Sequence, residues 1–336
     1  MKTIFYLLLC CCTITLSAQS SVNNIFAAGL EDAERFATDF LSPVSEVAIY
    51  NISNGWANTA DAKPFGGFEI SVIGNITSFK NKEEQQSFVL NTADYQNLQF
   101  VDGSTSRPVA TALGDLQGIR VFVEGDVLGV TVREEFELPS GLAAEDINFV
   151  PSGFLQGSVG IIKGTELKAR FLPKIATDDV EIGLYGFGIQ HEFTKHLPAD
   201  KLLPIAISAL IGYTHLDGTY DFADTDVISG ENQRVEAAID TWVFEALLST
   251  RLPVINFYGS VGYLSGKSTT DVLGTYIVEG GPFQQTYTDP FSIETDASGV
   301  TARLGTKLKL GFFRLHADYT LAEYNTVSFG LNFGFR

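Results

Sequence analysis

The chain has 336 residues, with 22 Lys and Arg against 40 Asp and Glu and a net charge of −18 at pH 7. So acidic a chain lacks the cationic surface that binding to phosphate backbones requires, which argues against nucleic acid as a partner. The three cysteines fall together at Cys10 to Cys12, so the remainder has neither disulfides nor thiolate metal sites, and no later run of apolar residues is long enough for a membrane helix.

The first residues follow the order of a secretory signal: Met1-Lys2, the apolar stretch Ile4 to Leu9, then Ser17-Ala18-Gln19. Export with cleavage near Ala18 or Gln19 is expected, which makes residues 1–19 a leader. Residues 20–65 differ from all that follows. Phe26, Leu30, Ala33, Ala37 and Phe40 repeat at helical spacing, Glu31, Asp32 and Glu34 fill the first turns, and Ser42-Pro43 reads as a stop. This predicts an amphipathic helix from Asn24 to about Leu41, placed as a plug-like segment. A second, weaker helical patch runs from Lys82 to about Leu98.

From residue 66 to 336 the period changes to two. The first run is Phe68, Ile70, Val72 and Ile76, and the next is Leu155, Val159 and Ile161. Leu167, Ala169 and Phe171 then alternate with Glu166, Lys168 and Arg170. Tyr185, Phe187, Ile189 and Phe193 follow, then Leu203 to Tyr213 on odd positions. Trp242, Phe244, Ala246 and Leu248 oppose Thr241, Glu245 and Ser249, and Ile255, Phe257, Val261 and Tyr263 form the next face. The last three runs, Val300 to Leu310, Phe313 to Leu321 and Val327 to Phe335, are nearly contiguous. These make ten clear strands. A hairpin between Ile119 and Arg133 would raise the number to twelve, with fourteen the neighbouring expectation for an even-stranded barrel.

Strand length separates a membrane barrel from a soluble sandwich. Runs of about 11 residues match a tilted strand crossing hydrocarbon, whereas globular strands are commonly about 5 to 6. The predicted fold is therefore all-β: a transmembrane antiparallel β-barrel of 12–14 strands with an N-terminal helical plug. Lys163-Gly164, Leu252-Pro253 and Gly311-Phe312 read as tight turns on one side, Thr194 to Leu202 as a longer turn there, and Gly218 to Val235 and Gly266 to Ser298 as long outer loops. A secreted β-sandwich is the soluble alternative.

If the apolar parity touches lipid, the opposite parity lines the lumen. Lys168, Arg170, Glu245, Arg303, Lys307, Lys309, Arg314, His316 and Asp318 are the candidate lumen residues. They can form an ion-pair ladder or a selectivity zone for an anionic solute. Asp217, Asp221, Asp224 and Asp226, and separately Asp289, Glu294 and Asp296, are carboxylate clusters without the spacing of a calcium loop. Gly262 to Thr269 has three residues between its glycines where a phosphate loop needs four, and His191-Glu192 lacks the second histidine of a zinc helix. His316 with Asp318 is the one pair an enzyme could use, and no nucleophile accompanies it. No catalytic residue, metal or cofactor is assigned, and the expectation is a non-enzyme.

An exported chain with an N-terminal helix, the segment Tyr50-Asn51-Ile52-Ser53-Asn54-Gly55-Trp56, long alternating strands and the ending Phe333-Gly334-Phe335-Arg336 resembles outer-membrane barrels of Bacteroidetes-type bacteria. It is similar, more distantly, to FadL-type transporters of hydrophobic compounds, whose barrel has fourteen strands and an N-terminal plug. The resemblance implies the bacterial outer membrane and its lipid as surroundings. It also implies a closing strand recognised by the barrel-assembly machinery through Phe329, Leu331, Phe333 and Phe335. The expected function is passive transport or binding of a small solute, hydrophobic or anionic. The alternative is a non-transporting structural or adhesive surface barrel.

Overall fold

A computed structural model describes residues 25–127, 129–177, 179–198, 200, 203–222, 228–278 and 285–335. Residues 1–19, the expected leader, and Cys10 to Cys12 within it lie outside these residues, as do Asp224 and Asp226. In chain order, a short 3₁₀ turn (Ile25–Ala28) and helix α1 (Leu30–Ile52) precede strand β1 (Phe68–Ser78). Five short strands follow: β2 (Ser87–Asn91), β3 (Gln99–Phe100), β4 (Ser106–Ala110), β5 (Arg120–Val127) and β6 (Val130–Glu137). The long strands are β7 (Phe149–Ile162), β8 (Thr165–Ala176), β9 (Val180–Glu192), β10 (Ile205–Asp221), β11 (Ile228–Thr250) and β12 (Ile255–Val278). The three-residue β13 (Thr286–Thr288) comes before β14 (Phe291–Leu310), β15 (Phe313–Leu321) and β16 (Asn325–Phe335).

The principal sheet has eleven strands, of which ten close into a ring. Each long strand pairs antiparallel with the next, β1 pairs with both β7 and β16, and β11 pairs with β12, so no edge is left open. The eleventh, β13, only decorates β12. The ten alternating runs of the sequence are the ten wall strands. The expected count of twelve to fourteen is therefore corrected to ten. The hairpin near Ile119 folds as β5 and β6 against β3 in a separate sheet, because β1 and β7 already pair along their full length.

The apolar parity faces outward on every wall strand. Ile70, Val72, Phe171, Phe187, Phe244, Val261, Val300, Leu304 and Phe329 are all exposed, Leu304 to 75 %. A belt this large on a closed sheet has no second sheet to cover it and is solvated by lipid. A transmembrane antiparallel β-barrel is thus built from alternation alone. The turns at Gly164, Leu252-Pro253 and Gly311 lie at one end with Phe68 and Phe335, as the registers require.

At the other end the wall outgrows the membrane. Strand β12, at 24 residues and about 3.3 Å each, could extend to about 80 Å. The polar segments predicted as loops, Gly218 to Val235 and Gly266 to Ser298, are largely continuations of β10, β11, β12 and β14. Their Thr, Tyr and Val residues suit a pleated surface, and one face of it is covered. The cover is a cap built from residues 79–148, so the stretch from 66 to 336 is not barrel throughout. Phe26, Phe36 and Phe40 pack with Leu90, Leu98, Phe100, Val121 and Val123 of the cap and with Tyr276 and Val278 of the wall. The expected helical patch from Lys82 to Leu98 is instead one helical turn (Glu83–Gln86), β2 and a 3₁₀ turn.

Helix α1 also departs from expectation: it starts at Leu30 and runs on through Pro43 to Ile52. A proline inside a helix costs about 3 kcal/mol. Beyond it, Val47, Ile49, Tyr50 and Ile52 are buried inside the barrel. At about 1.5 to 3 kcal/mol per side chain, that burial outweighs the proline. The loosened turn is used as well, since the Phe40 carbonyl accepts the Ala112 amide of the cap at 2.9 Å. The chain therefore enters at the cap, descends the axis as α1, continues through residues 53–67 to the turn end, and there begins β1.

Candidate functional site in the barrel lumen

The lumen is occupied by the chain's own plug, residues 47–63. Its centre is Trp56, fully buried. The indole lies against Gly188 of β9 and Gly212 of β10, which are direct cross-strand partners. A Cβ on Gly212 would sit 2.6 Å from the ring and one on Gly188 2.8 Å, so only glycine permits this approach. The guanidinium of Arg170 covers the other side, 3.6 Å from the Trp56 ring and 4.3 Å from that of Phe154. Arg170 also donates to the Ile52 carbonyl at 2.8 Å and to Gln156 Oε1 at 3.2 Å.

Around this seat the wall holds the plug by polar contacts. Asn51 Nδ2 donates to Thr77 Oγ1 at 2.9 Å and to the Val150 carbonyl at 2.7 Å. Arg303 pairs with Glu245 at 2.7 Å and with Asp318 at 3.5 Å, and donates to the Ala57 carbonyl at 3.4 Å. Lys307 donates to Asn58 Oδ1 at 2.7 Å and pairs with Glu69 at 3.1 Å. Lys168 binds Glu166 at 2.7 Å, and Lys63 of the plug binds the same carboxylate at 2.9 Å. Burying these charges is offset by their opposite partners, whereas Arg170 is held by carbonyl and amide oxygens and two aromatic faces.

Of the residues picked from the sequence, Lys168, Arg170, Glu245, Arg303, Lys307, His316 and Asp318 are buried inside the wall, while Lys309 and Arg314 are half-buried at the turn end. His316 and Asp318 do not act on each other. The ring of His316 meets Asn332 Nδ2 at 2.9 Å, whereas Asp318 accepts the Tyr258 hydroxyl at 2.7 Å. Of the outer carboxylates, Asp217 bonds His215 at 2.9 Å, and Glu294 pairs with Lys267 at 2.7 Å. Among the described residues no cluster of His, Cys, Asp and Glu has the arrangement of a metal site.

Sequence reasoning passed over Glu69, Gln156 and Gln190, although they stand on the inward parity and the alternation marks them. Trp56 stands in a segment without alternation, Asn54-Gly55-Trp56-Ala57, that gives no sign of burial. Its importance rests on two glycines more than 100 residues away, which carry no local signal. At the turn end the plug leaves a cavity of about 960 Å³, open to water, that takes in Lys63, Glu69, Arg251, Lys307, Lys309 and Arg314.

Fold and lumen together define a class: a ten-stranded membrane barrel closed by an internal N-terminal plug and roofed by a cap. The chain belongs to a family of unknown function, DUF6588, whose profile matches residues 1–335. No curated protein matches it. Among solved structures, the translocator domain of the autotransporter NalP from Neisseria meningitidis is similar at 10 % identity and a TM-score of 0.30, covering 93 % of this chain and 99 % of that one. The attachment invasion locus protein Ail of Yersinia pestis is similar at 10 % identity and a TM-score of 0.26, covering 81 % of this chain and all of its own. The outer membrane protease OmpT from Escherichia coli is similar at 8 % identity and a TM-score of 0.27, covering 82 % and 100 %. Likenesses this remote say nothing of role.

Proposed function

We propose that this protein is a sealed, non-enzymatic barrel of the bacterial outer membrane, whose purpose lies in the cap it presents and not in passage through its lumen. The observation that carries this reading is the seat of Trp56, enclosed by Gly188, Gly212 and Arg170 with no surface left to water. A gate that opens routinely is drawn from weakly packed structure. Here a shape-matched aromatic is combined with buried ion pairs, which favours a permanent stopper. In this orientation the short turns face the periplasm and the cap faces the exterior. The partners of the wall are outer-membrane lipid and, during assembly, the barrel machinery reading Phe329, Leu331 and Phe333 from the outward face of β16; the Phe335 side chain lies outside the described residues.

The expected transport of a hydrophobic solute, as in FadL-type proteins, would need the plug to leave. The buried Trp56 and the hydrogen bonds of Asn51, Ala57 and Asn58 to the wall stand in the way of such passage, which supports the sealed reading. The test has two parts. The purified protein in planar bilayers is expected to give no conductance above the lipid background. Thr105→Cys, in an exposed turn of the cap, is expected to react with a membrane-impermeant maleimide on intact cells, and Lys163→Cys, exposed at the turn end, only after lysis. Steady channel openings by the wild type would overturn the sealed reading, and the reverse labelling pattern would overturn the orientation.

A further inference from the structure

The turn-end cavity carries a charge imbalance that the plug does not resolve. Glu69 is buried and is shared by Lys307 at 3.1 Å, Lys63 at 3.8 Å and Arg314 in direct contact, while Lys63 is also held at 2.9 Å by Glu166, which Lys168 shares at 2.7 Å. Among the described residues this linked group sets four cations against two carboxylates, an excess of two positive charges. Lys309 follows Lys307 on the inward parity of β14 and lies beside the same cavity, its ammonium donating to the Leu252 carbonyl at 3.3 Å.

The opposite side of the mouth is different. There Lys195 and Arg251 of the turns meet Asp61 of the descending segment, Glu192 at the end of β9 and Asp200, so acids outnumber bases in that group. The excess of cations lies on the Glu69 side. The contrast is sharp in a chain whose total charge is −18. Low-dielectric walls focus such a field toward the opening, and an incoming anion meets donors already held in place.

We infer that the turn-end mouth is a binding site for a phosphate monoester dianion, held by Lys307, Lys309 and Arg314 beside Glu69. A guanidinium with two ammoniums suits a tetrahedral oxyanion. A phosphate monoester carries close to two negative charges near neutral pH, which matches the excess around Glu69. At about 960 Å³ the cavity also has room for the organic part of such an ester, at the upper end of ordinary ligand pockets. The phosphate could belong to a soluble ester or to a lipid headgroup. The site rests on the mouth itself and does not depend on whether the lumen conducts.

The test uses the full chain in phosphatidylcholine nanodiscs at low salt, titrated calorimetrically with inorganic phosphate. Saturable one-site binding is expected, at least tenfold weaker in Lys309→Gln/Arg314→Gln and within twofold of wild type in Lys195→Gln. Each variant is first checked for heat-modifiable gel migration. If the double variant does not fold, Lys309→Gln alone is expected to weaken binding about threefold. Repeating the titration with phosphatidic acid, a lipid phosphate monoester, in the discs separates the sources: competition points to a lipid phosphate, and unchanged affinity to a soluble one. Absence of saturable heat in the wild type, or equal losses in Lys195→Gln and the double variant, would overturn the proposal.

Discussion

The guanidinium of Arg170 lies 3.6 Å from the ring of Trp56, and the two residues come from opposite sides of the lumen boundary, one from the wall and one from the plug. A cation against an aromatic face, both out of water, is worth about 2 kcal/mol or more. The same arginine satisfies the last carbonyl of α1 at Ile52, so a single side chain fixes both the helix end and the stopper below it.

Gly212→Val tests that seat. Its Cβ would stand 2.6 Å from the indole, so the variant is expected to lose about 1 to 3 kcal/mol through overpacking. Displacement of the plug should appear as channel events in planar bilayers, where the wild type stays at background. Adding Trp56→Ala removes the clash, and the double variant should lose less stability than the sum of the singles.

The Arg303 and Glu245 pair is buried on both sides at 2.7 Å. Glu245→Ala leaves the arginine without its principal counter-ion and is expected to cost about 3 to 5 kcal/mol. Replacing both, Glu245→Leu with Arg303→Met, should restore most of it. The urea midpoint for unfolding from lipid vesicles measures the difference.

Asp32 joins α1 to the cap: its two carboxylate oxygens accept the amides of Gln96 and Asn97, each at 2.8 Å. Asp32→Ala exposes two amides to desolvation without partners, at about 1 to 3 kcal/mol each. Hydrogen exchange should accelerate at Gln96 and Asn97 while the wall amides of β14 to β16 keep their protection.

Lys82 ties the start of the cap to the rim through Glu323 and lies 5.8 Å from the Tyr324 ring. Its hydrogen bond to Glu323 holds the ammonium above the ordinary lysine value of 10.5. From neutral pH up to about 10.5 the contact is therefore present, and it is lost as pH rises through the higher folded value. Lys82→Gln should loosen residues 79–86 at neutral pH, seen by exchange, with no change in gel migration, because exposed pairs contribute little.

Much of the wall was legible because a two-residue period is a local property. Ile70, Phe187, Val261, Leu304 and Phe329 face outward and Arg170, Arg303 and Lys307 inward, as alternation requires. What the period does not carry is pairing. Gly188 and Gly212 look like ordinary glycines until register places them side by side under Trp56. Pro43 reads as a helix stop because the lumen that rewards its continuation lies in other strands. Likewise, the hairpin of β5 and β6 has wall-like alternation, and only the direct pairing of β1 with β7 excludes it.

The descent of α1 and residues 53–67 along the axis, followed by the ascent of β1 in the wall, makes one antiparallel stroke of chain. The inner arm is joined to the wall by the short link into β1, while the seat of Trp56 is made by Arg170, Gly188 and Gly212 on β8, β9 and β10. The stopper and its socket therefore come from separate stretches of the ring, and the seat is complete only when those three strands stand together.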